Sequence, residues 1–559
     1  MSRFVRPAGA ALLVGAIHLA LASRMTAPII MADEWGYLGA ARRLAGDGAE
    51  THVPYHAGAG LLYLPATLIA DSPIDAYHGA LATNAVLAGL LTLAAWWVAG
   101  LAEPLRPGAV RFAAACAVGL YTSFVGYSSL AAPEVAFAAL ELALVGVFVR
   151  ALRERRAAWW ALAGIGCGAA WLLHPRGAGV IAAGVLVAVL ALRPAARHLP
   201  QLAAFLAPVL VGIVVTAVLD DWVNGTVLDP KQYDSGALFD GVLTAQGLRT
   251  LVITAAGQVF YLSAATIGVA TLGALELVRR LRSVDRDRLE ALFPLAALAF
   301  VYAISVATNA RATRIDHLLY GRYNEGAIAP LLLVGFAVIA GSSAAVLGRR
   351  YVAAAGGITL ATAVVFYGLA GTGRLHGDGL YYLVTVLGID PVRRRIGWPD
   401  PLLIAAATFV AIYLVAAARR LGRVVPIAVV GLVFLVFAVK NTRDYFQPES
   451  RARSQEHVLA DAIVRIDAVD RVGCVAYDRT TSSFFHQATY EFFAPVRFAV
   501  FVPGQEPPCG DLVISGGPLA TTYPGARQVA TETRARQALW VLPGATQDRL
   551  VAQGLLPPG

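Results

Sequence analysis

Long apolar runs separated by short polar breaks fill the chain from its start to about residue 440. A helix needs about 20 mainly apolar residues to cross a hydrocarbon core about 30 Å thick. Runs approaching that length predict membrane helices near 8–30, 76–100, 109–127, 134–150, 157–174, 178–193, 200–219, 251–278, 289–308, 326–347, 351–370, 401–418 and 425–440. After Lys440 the pattern changes. Residues 453–466 place Val458, Ala462, Ile463 and Ile466 on one helical face. Short β-like runs follow at 471–477, 498–502, 511–515 and 538–542, with a helix-like stretch over 481–493 between the first two. Strands alternating with helix predict a small α/β domain. The expected architecture is therefore mainly α: a polytopic transmembrane helical bundle of about thirteen spans over 1–445, and a small α/β domain over 446–559. The chain shows no internal repeat, inverted or parallel.

Composition agrees. Of 559 residues, 58% are hydrophobic and 14% charged, against about 25% charged in soluble proteins. That excludes a cytosolic enzyme, a disordered chain and a disulfide-rich secreted module. The formal charge of +9 is almost entirely arginine, the lysines being Lys231 and Lys440 alone, and points to no nucleic-acid partner. Arg3, Arg6 and the apolar run 8–22 resemble a signal peptide. No convincing cleavage site follows and Arg24 interrupts, so an uncleaved first membrane helix is expected. Cys116 and Cys167 lie in apolar runs as small core residues. Cys474 and Cys509 lie in the polar C-terminal part and can pair if it faces an oxidising compartment.

Where the arginines fall orients the chain. Alternate short connections carry Arg3 and Arg6; Arg106 and Arg111; Arg150, Arg153, Arg155 and Arg156; Arg193 and Arg197; Arg279, Arg280, Arg282, Arg286 and Arg288; Arg349 and Arg350; and Arg419, Arg420 and Arg423. Short positive loops face the cytoplasm. The opposite connections, 31–75, 220–250, 309–325 and 371–400, then face outward, as does everything after 440. The N-terminus is expected in the cytoplasm and the C-terminal domain outside the cell membrane.

Candidate chemistry collects on the outward side. Asp33 and Glu34 follow the first span, beside Trp35 and Tyr37, and Tyr37, Leu38, Ala41 and Leu44 have the spacing of an amphipathic helix lying on the membrane surface. An acid held there can act as general base toward a hydroxyl whose partner substrate comes from the lipid; a solvated acid pair with an aromatic belt is the plainer reading. A second run, Asp316, His317, Tyr320, Gly321, Arg322, Tyr323, Asn324 and Glu325, precedes the tenth span. Arg322 offers a planar fork to phosphate oxygens, and Tyr320 and Tyr323 can pack a sugar; an interfacial Arg/Tyr anchor is the alternative. His174 and Arg176, in the turn between the fifth and sixth spans, are the second phosphate candidates, with a purely structural turn as the equal alternative; Lys231, beside Tyr233 and Asp234, is a third, though a solvated loop lysine is the plainer reading. Gln258 and Tyr261 are placed to line a cavity, or to satisfy each other in the bundle. Glu134 begins the fourth span, where the helix dipole alone favours an acid. Glu141 shares its face and is expected to be structural.

The Asp33-Glu34 pair in the first outer loop, the Tyr37 that follows, the interfacial helix, the many spans and the outward C-terminal domain resemble the GT-C superfamily of glycosyltransferases, which includes protein O-mannosyltransferases, aminoarabinose transferases and mycobacterial arabinosyl- and mannosyltransferases. The resemblance covers the whole chain in architecture and only short motifs in residues. It implies a polyprenyl-phosphate sugar donor, an envelope glycan, lipid or protein acceptor, Asp33 as base with Glu34 as support or substitute, Arg322 on the donor phosphate, and Glu134 near the acceptor. It also implies that Tyr55 and His56, in a Gly/Tyr/Pro segment after the interfacial helix, approach the cavity. A polyprenyl phosphate leaves without a general acid, so one base suffices and displacement inverts the anomeric centre, unlike the two-carboxylate arrangement of glycoside hydrolases. His52 and His56 leave a divalent ion open, but no ligand spacing demands one and no essential metal is expected. A transporter or flippase of lipid-linked saccharides is the main alternative, though such proteins place charge at the midplane and often carry repeats. A glycan-binding scaffold is the third and would leave the two motifs without a shared purpose.

Overall fold

The structure, a computed structural model, describes residues 2–29, 31–46, 56–193, 196–224, 242, 244–283, 286–309, 315–370, 386–389, 401–468, 471–481, 484–494, 496–533 and 535–557. Helices occupy Ser2–Ala22 (α1), Met31–Leu44 (α2), Gly58–Ile69 (α3), Pro73–Ala99 (α4), Gly108–Gly119 (α5), Thr122–Tyr127 (α6), Glu134–Glu154 (α7), Ala157–Leu173 (α8), Gly177–Leu192 (α9), Leu199–Asn224 (α10), Ala245–Ala265 (α11), Val269–Leu281 (α12), Arg286–Thr308 (α13), Ile315–Leu319 (α14), Glu325–Gly341 (α15), Ala353–Ala370 (α16), Pro401–Ala418 (α17), Val425–Asn441 (α18), Gln447–Arg453 (α19), Val458–Asp467 (α20), Phe484–Phe493 (α21) and Ala545–Ala552 (α22). Among the described residues, ten helical stretches are long and apolar enough to cross a bilayer, and four shorter apolar helices, α3, α5, α8 and α9, accompany them. The chain is a multi-pass membrane protein.

Two expected spans are broken. The run 109–127 divides into α5 and α6 at Leu120 and Tyr121, where ψ swings from 7° to 133°. The run 251–278 divides into α11 and α12 at Ile267 and Gly268, both with positive φ (54° and 72°). A side chain at Gly268 would be strained by that φ and would also strike Ile412. Both flanks of each break are apolar, so hydropathy alone carries no sign of it.

The described chain forms two compact units. The first comprises Met1–Ser23, Leu81–Asp220 and Asp229–Tyr445. Its core is aromatic and aliphatic, with Tyr121, Phe124, Phe260, Phe336, Phe366 and Phe434 all fully buried. Some buried polar groups tie its helices together by hydrogen bonds. His18 on α1 donates from Nε2 to the Gly119 carbonyl and meets Ser128 Oγ with Nδ1, each at 2.9 Å. Thr122 donates to the Phe434 carbonyl at 3.1 Å, tying α6 to α18.

The second unit comprises Arg24–Ala80, Asp221–Leu228 and Phe446–Gly559. Its sheet has strands Cys474–Asp478 (β1), Arg497–Phe501 (β2), Leu512–Ser515 (β3), Arg527–Glu532 (β4) and Gln537–Val541 (β5), in the order β2-β1-β3-β5-β4. The β2-β1-β3 part is parallel, and β5 and β4 add antiparallel. Four strands fall where the sequence pattern expected them; β4, whose exposed and half-buried positions give no apolar run, was not expected. Alternate residues serve opposite faces: Val475 and Tyr477 pack with Leu459, Ile463 and Ile466 of α20, while Ala476 packs with Phe501 and Val513. Cys474 and Cys509 form a disulfide, with Cα atoms 5.6 Å apart. At the end of β1, Asp478 is fully buried and accepts from the Thr480 N–H at 2.8 Å and from the hydroxyls of Thr480, Thr481 and Ser515 at 2.6 Å each. Burial pushes its pKa up, but these four bonds outweigh it and hold the carboxyl below the ordinary aspartate range.

Segments far apart in sequence meet inside this unit. Ser450 Oγ accepts from the backbone N–H groups of Thr26 and Ala27 and donates to the Ala27 carbonyl. Phe492 on α21 stands edge-on to Trp35 of α2 and to Tyr77 of α4.

Candidate functional site

The acid pair lies in the first turn of α2, with Arg42 and Arg43 in its last turn, so charge at both ends complements the helix dipole. The two acids differ. Glu34 is fully buried, and its Oε2 accepts from the Ile29 N–H at 2.7 Å, which fixes the chain entering the helix. Asp33 is half-buried. The helix expected on the membrane surface is present, but both its faces are covered: Trp35, Tyr37, Leu38, Ala40 and Ala41 are all buried. Arg42 lies over the Trp35 ring, 5.2 Å from its centroid. His56 is half-buried just before α3. Tyr55 and Lys231 lie outside the described residues.

The other candidates come from the first unit. Gly321 and the single 3-10 turn Arg322–Asn324 connect α14 to α15. Gly321 is required there, because a Cβ would enter the Tyr261 ring. Glu134, at the start of α7 and 1% exposed, accepts on Oε1 from Arg322 Nε at 2.6 Å and from Arg176 Nη2 at 3.4 Å. Arg176 is also 1% exposed. Its Nη1 donates to the backbone carbonyls of Arg322 (2.9 Å) and Tyr323 (3.2 Å), and its guanidinium lies between the rings of Phe137 and Tyr323 at 5.2 and 5.1 Å. Its Nε and its backbone N–H both donate to His174 Nδ1 at 3.1 Å, so that imidazole carries its proton on Nε2. Arg176 thus holds the turn that presents Arg322.

Edge-on ring contacts run His317–Tyr320, Tyr320–Tyr323 and Tyr323–His174, at 5.7, 4.6 and 5.9 Å. Asp316 is buried, with His317 Nε2 3.9 Å away. Behind the turn, Tyr261 donates to Glu325 Oε1 at 2.5 Å and accepts from the Gly388 N–H at 3.1 Å, and Asn324 donates to Gln258 at 2.9 Å. Glu141 is 2% exposed, and among the described residues neither of its carboxylate oxygens has a hydrogen-bond partner. Among the described residues, no group of three or more His, Cys, Asp or Glu side chains is placed to hold a metal ion.

The structure therefore brings Glu134, His174, Arg176, Arg322 and Tyr323 into one contiguous cluster, with Gln258, Tyr261 and Glu325 joined to the same turn. Asp33, Glu34, Tyr37 and His56 belong to the other unit. Sequence reasoning did not find Phe137, Asn324 or the backbone of Gly388 as partners, since pairs such as Tyr261 and Gly388 lie 127 residues apart.

Membrane helices, a mixed C-terminal sheet and an acid-bearing first helical loop make up the fold. The solved structures show the same fold. ArnT from Cupriavidus metallidurans bound to undecaprenyl phosphate superposes with a TM-score of 0.51 at 14% identity, over 96% of this chain and 98% of that one. The same protein in the apo state gives 0.52 at 15% identity, over 98% and 99%. No family model matches the sequence, and no curated protein matches it.

Proposed function

We propose that the chain is an inverting glycosyltransferase that moves a sugar from a polyprenyl-phosphate donor to an envelope glycan, lipid or protein acceptor on the outer face of the cell membrane. The observation that carries this reading is Arg322: a guanidinium held nearly buried by Glu134, in a turn clamped by Arg176 and flanked by Tyr320 and Tyr323. A guanidinium held in place in this way matches phosphate geometry. ArnT, which shares the fold, binds undecaprenyl phosphate, an anion of the donor class proposed here.

In the proposed step the acceptor oxygen bonds to the anomeric carbon as the bond from that carbon to the phosphate oxygen breaks. The electron pair leaves with the polyprenyl phosphate, whose charge Arg322 stabilises. Asp33 takes the acceptor proton. Asp33 is favoured over Glu34 because Glu34 is fully buried and committed to the Ile29 N–H, while Asp33 retains exposure. His317, Tyr320 and Tyr323 serve the donor, and Tyr37, Tyr55, His56, Gln258, Tyr261 and Glu325 shape the cavity; Lys231 is kept as a further phosphate contact.

The test is sugar transfer in reconstituted membranes by wild type and Asp33→Asn, with a panel of polyprenyl-phosphate sugars and crude envelope acceptor. Transfer by wild type, abolished in a folded Asp33→Asn that still binds donor, is the expected result. Undiminished transfer by the variant moves the base to Glu34. Movement of lipid-linked sugar across the bilayer without transfer makes the protein a flippase.

A further inference from the structure

Away from the cluster described above, α1, α5 and α18 run in parallel and leave a groove of about 620 Å³ between them, lined by Arg6, Gly108, Ala113, Cys116, Gly431 and Leu435 among others. All three helices belong to the first unit. Small residues make the groove: Gly431 approaches the Ala117 backbone closely enough that a Cβ would stand 3.1 Å from the Ala117 Cβ. Leu13 and Leu432, also in its wall, are 48% and 60% exposed, so it opens sideways to where lipid lies. Along α5 it runs from Gly108 to Leu120, a rise of about 18 Å. Half a hydrocarbon core is about 15 Å, so the groove spans one leaflet.

The end of the groove at Arg6 is positively charged. Arg6, an exposed side chain, packs against Gly108, the first residue of α5, and makes no ion pair or hydrogen bond with any described residue. The amino ends of α5 and α18 lie at this end, and neither has a side-chain cap. A cation set against a positive helix terminus is unfavourable until an anion joins them. Basic pockets between membrane helices take anionic lipid headgroups in this way. We propose that the groove binds one anionic diacyl phospholipid, its phosphate on Arg6 and the α5 terminus and an acyl chain against Ala113, Cys116 and Gly431. The one-leaflet length selects a diacyl lipid over a longer polyprenyl carrier.

The test reads lipid retention and needs no sugar transfer. Full-length protein is reconstituted in phosphatidylcholine vesicles containing phosphatidylglycerol, extracted in mild detergent, and its bound lipid counted by native mass spectrometry. Wild type is expected to keep one phosphatidylglycerol in preference to phosphatidylcholine. Arg6→Gln should lower that preference about fivefold, the effect of one cation at an anionic headgroup, and Arg6→Lys should keep most of it. Ala113→Phe, which fills the groove, should lose both lipids. Because that variant can misfold, a second readout uses wild type and Arg6→Gln only: phosphatidylglycerol should slow alkylation of Cys116 in the first and not in the second. Equal retention of the two lipids by wild type overturns the proposal, as does an unchanged preference in Arg6→Gln. Displacement of phosphatidylglycerol by equimolar undecaprenyl phosphate would make the occupant a polyprenyl carrier, and a dimer that shields Cys116 without lipid would make it a second copy of the chain; either also overturns it.

Discussion

Replacing Glu134 by alanine removes the carboxylate that Arg322 and Arg176 share. The contacts are unequal: Arg322 donates from Nε at 2.6 Å, whereas Arg176 donates from Nη2 at 3.4 Å. Their side chains are 7% and 2% exposed, and that of Glu134 is 1% exposed. Removing one partner of a buried pair costs about 3–5 kcal/mol, because the survivor stays buried and uncompensated. Arg322 makes the shorter contact with Glu134, so most of that cost belongs to it. Glu134→Gln, which retains an oxygen acceptor and loses only the charge, should cost about 1.5–3 kcal/mol. Equilibrium unfolding in mixed micelles, followed by circular dichroism, measures both. A double-mutant cycle divides the effect: Glu134→Ala with Arg322→Met should show about 2–3 kcal/mol of coupling, and with Arg176→Met clearly less. The reasoning fails if Glu134→Ala costs under about 1 kcal/mol, or if Arg176 couples as strongly as Arg322.

Glu141 makes the opposite prediction. Its two oxygens are buried without hydrogen-bond partners among the described residues, so Glu141→Met should be neutral or stabilising by about 1–3 kcal/mol in the same unfolding measurement; a clear loss would mean the carboxylate is served by another group. Asp478 should make the C-terminal sheet acid-sensitive. Its folded pKa lies below the unfolded value of about 3.9, so its contribution is complete above that value and is lost as pH falls toward the folded one. Hydrogen-exchange protection of β1 and β3, corrected for intrinsic rates, should therefore drop below about pH 4 in wild type, whereas Asp478→Asn should be weaker at neutral pH and lose that part of the dependence. The disulfide joins residues 35 apart, so Cys474→Ser should cost about 3–4 kcal/mol of local stability by loop entropy, seen as faster exchange in β1; unchanged exchange would mean that the loop is ordered by other contacts.

Membrane helices were legible because hydropathy summed over a full span is a strong signal, and most expected runs correspond to helices. What hydropathy missed were changes of backbone direction inside apolar sequence, at Leu120–Tyr121 and at Ile267–Gly268. Strands β1, β2, β3 and β5 were legible from short apolar runs, and β4 was not, because it presents few buried positions. At the candidate site, residue types pointed to Arg322, Glu134 and Arg176 separately. Their sharing of one carboxylate was not visible, since Glu134 and Arg322 are 188 residues apart and nothing local in either segment encodes the other. Glu34 shows the same limit at short range. Its bond to the Ile29 N–H depends on the path of the chain into α2, which composition does not record.

The clamp on the Arg322 turn has a consequence for how affinity responds to temperature. A free arginine gives up roughly 2 kcal/mol of rotamer entropy when it is ordered. Here Glu134 and Arg176 have already imposed most of that ordering during folding, so in the proposed donor role an arriving phosphate need not. The proposed recognition would then be borrowed from the rigidity of α7 and of the turn between α8 and α9. Warming that loosens those helices should raise the donor dissociation constant well before any helix is lost, and a lipid environment that stiffens the bundle should tighten donor binding without touching a single donor contact.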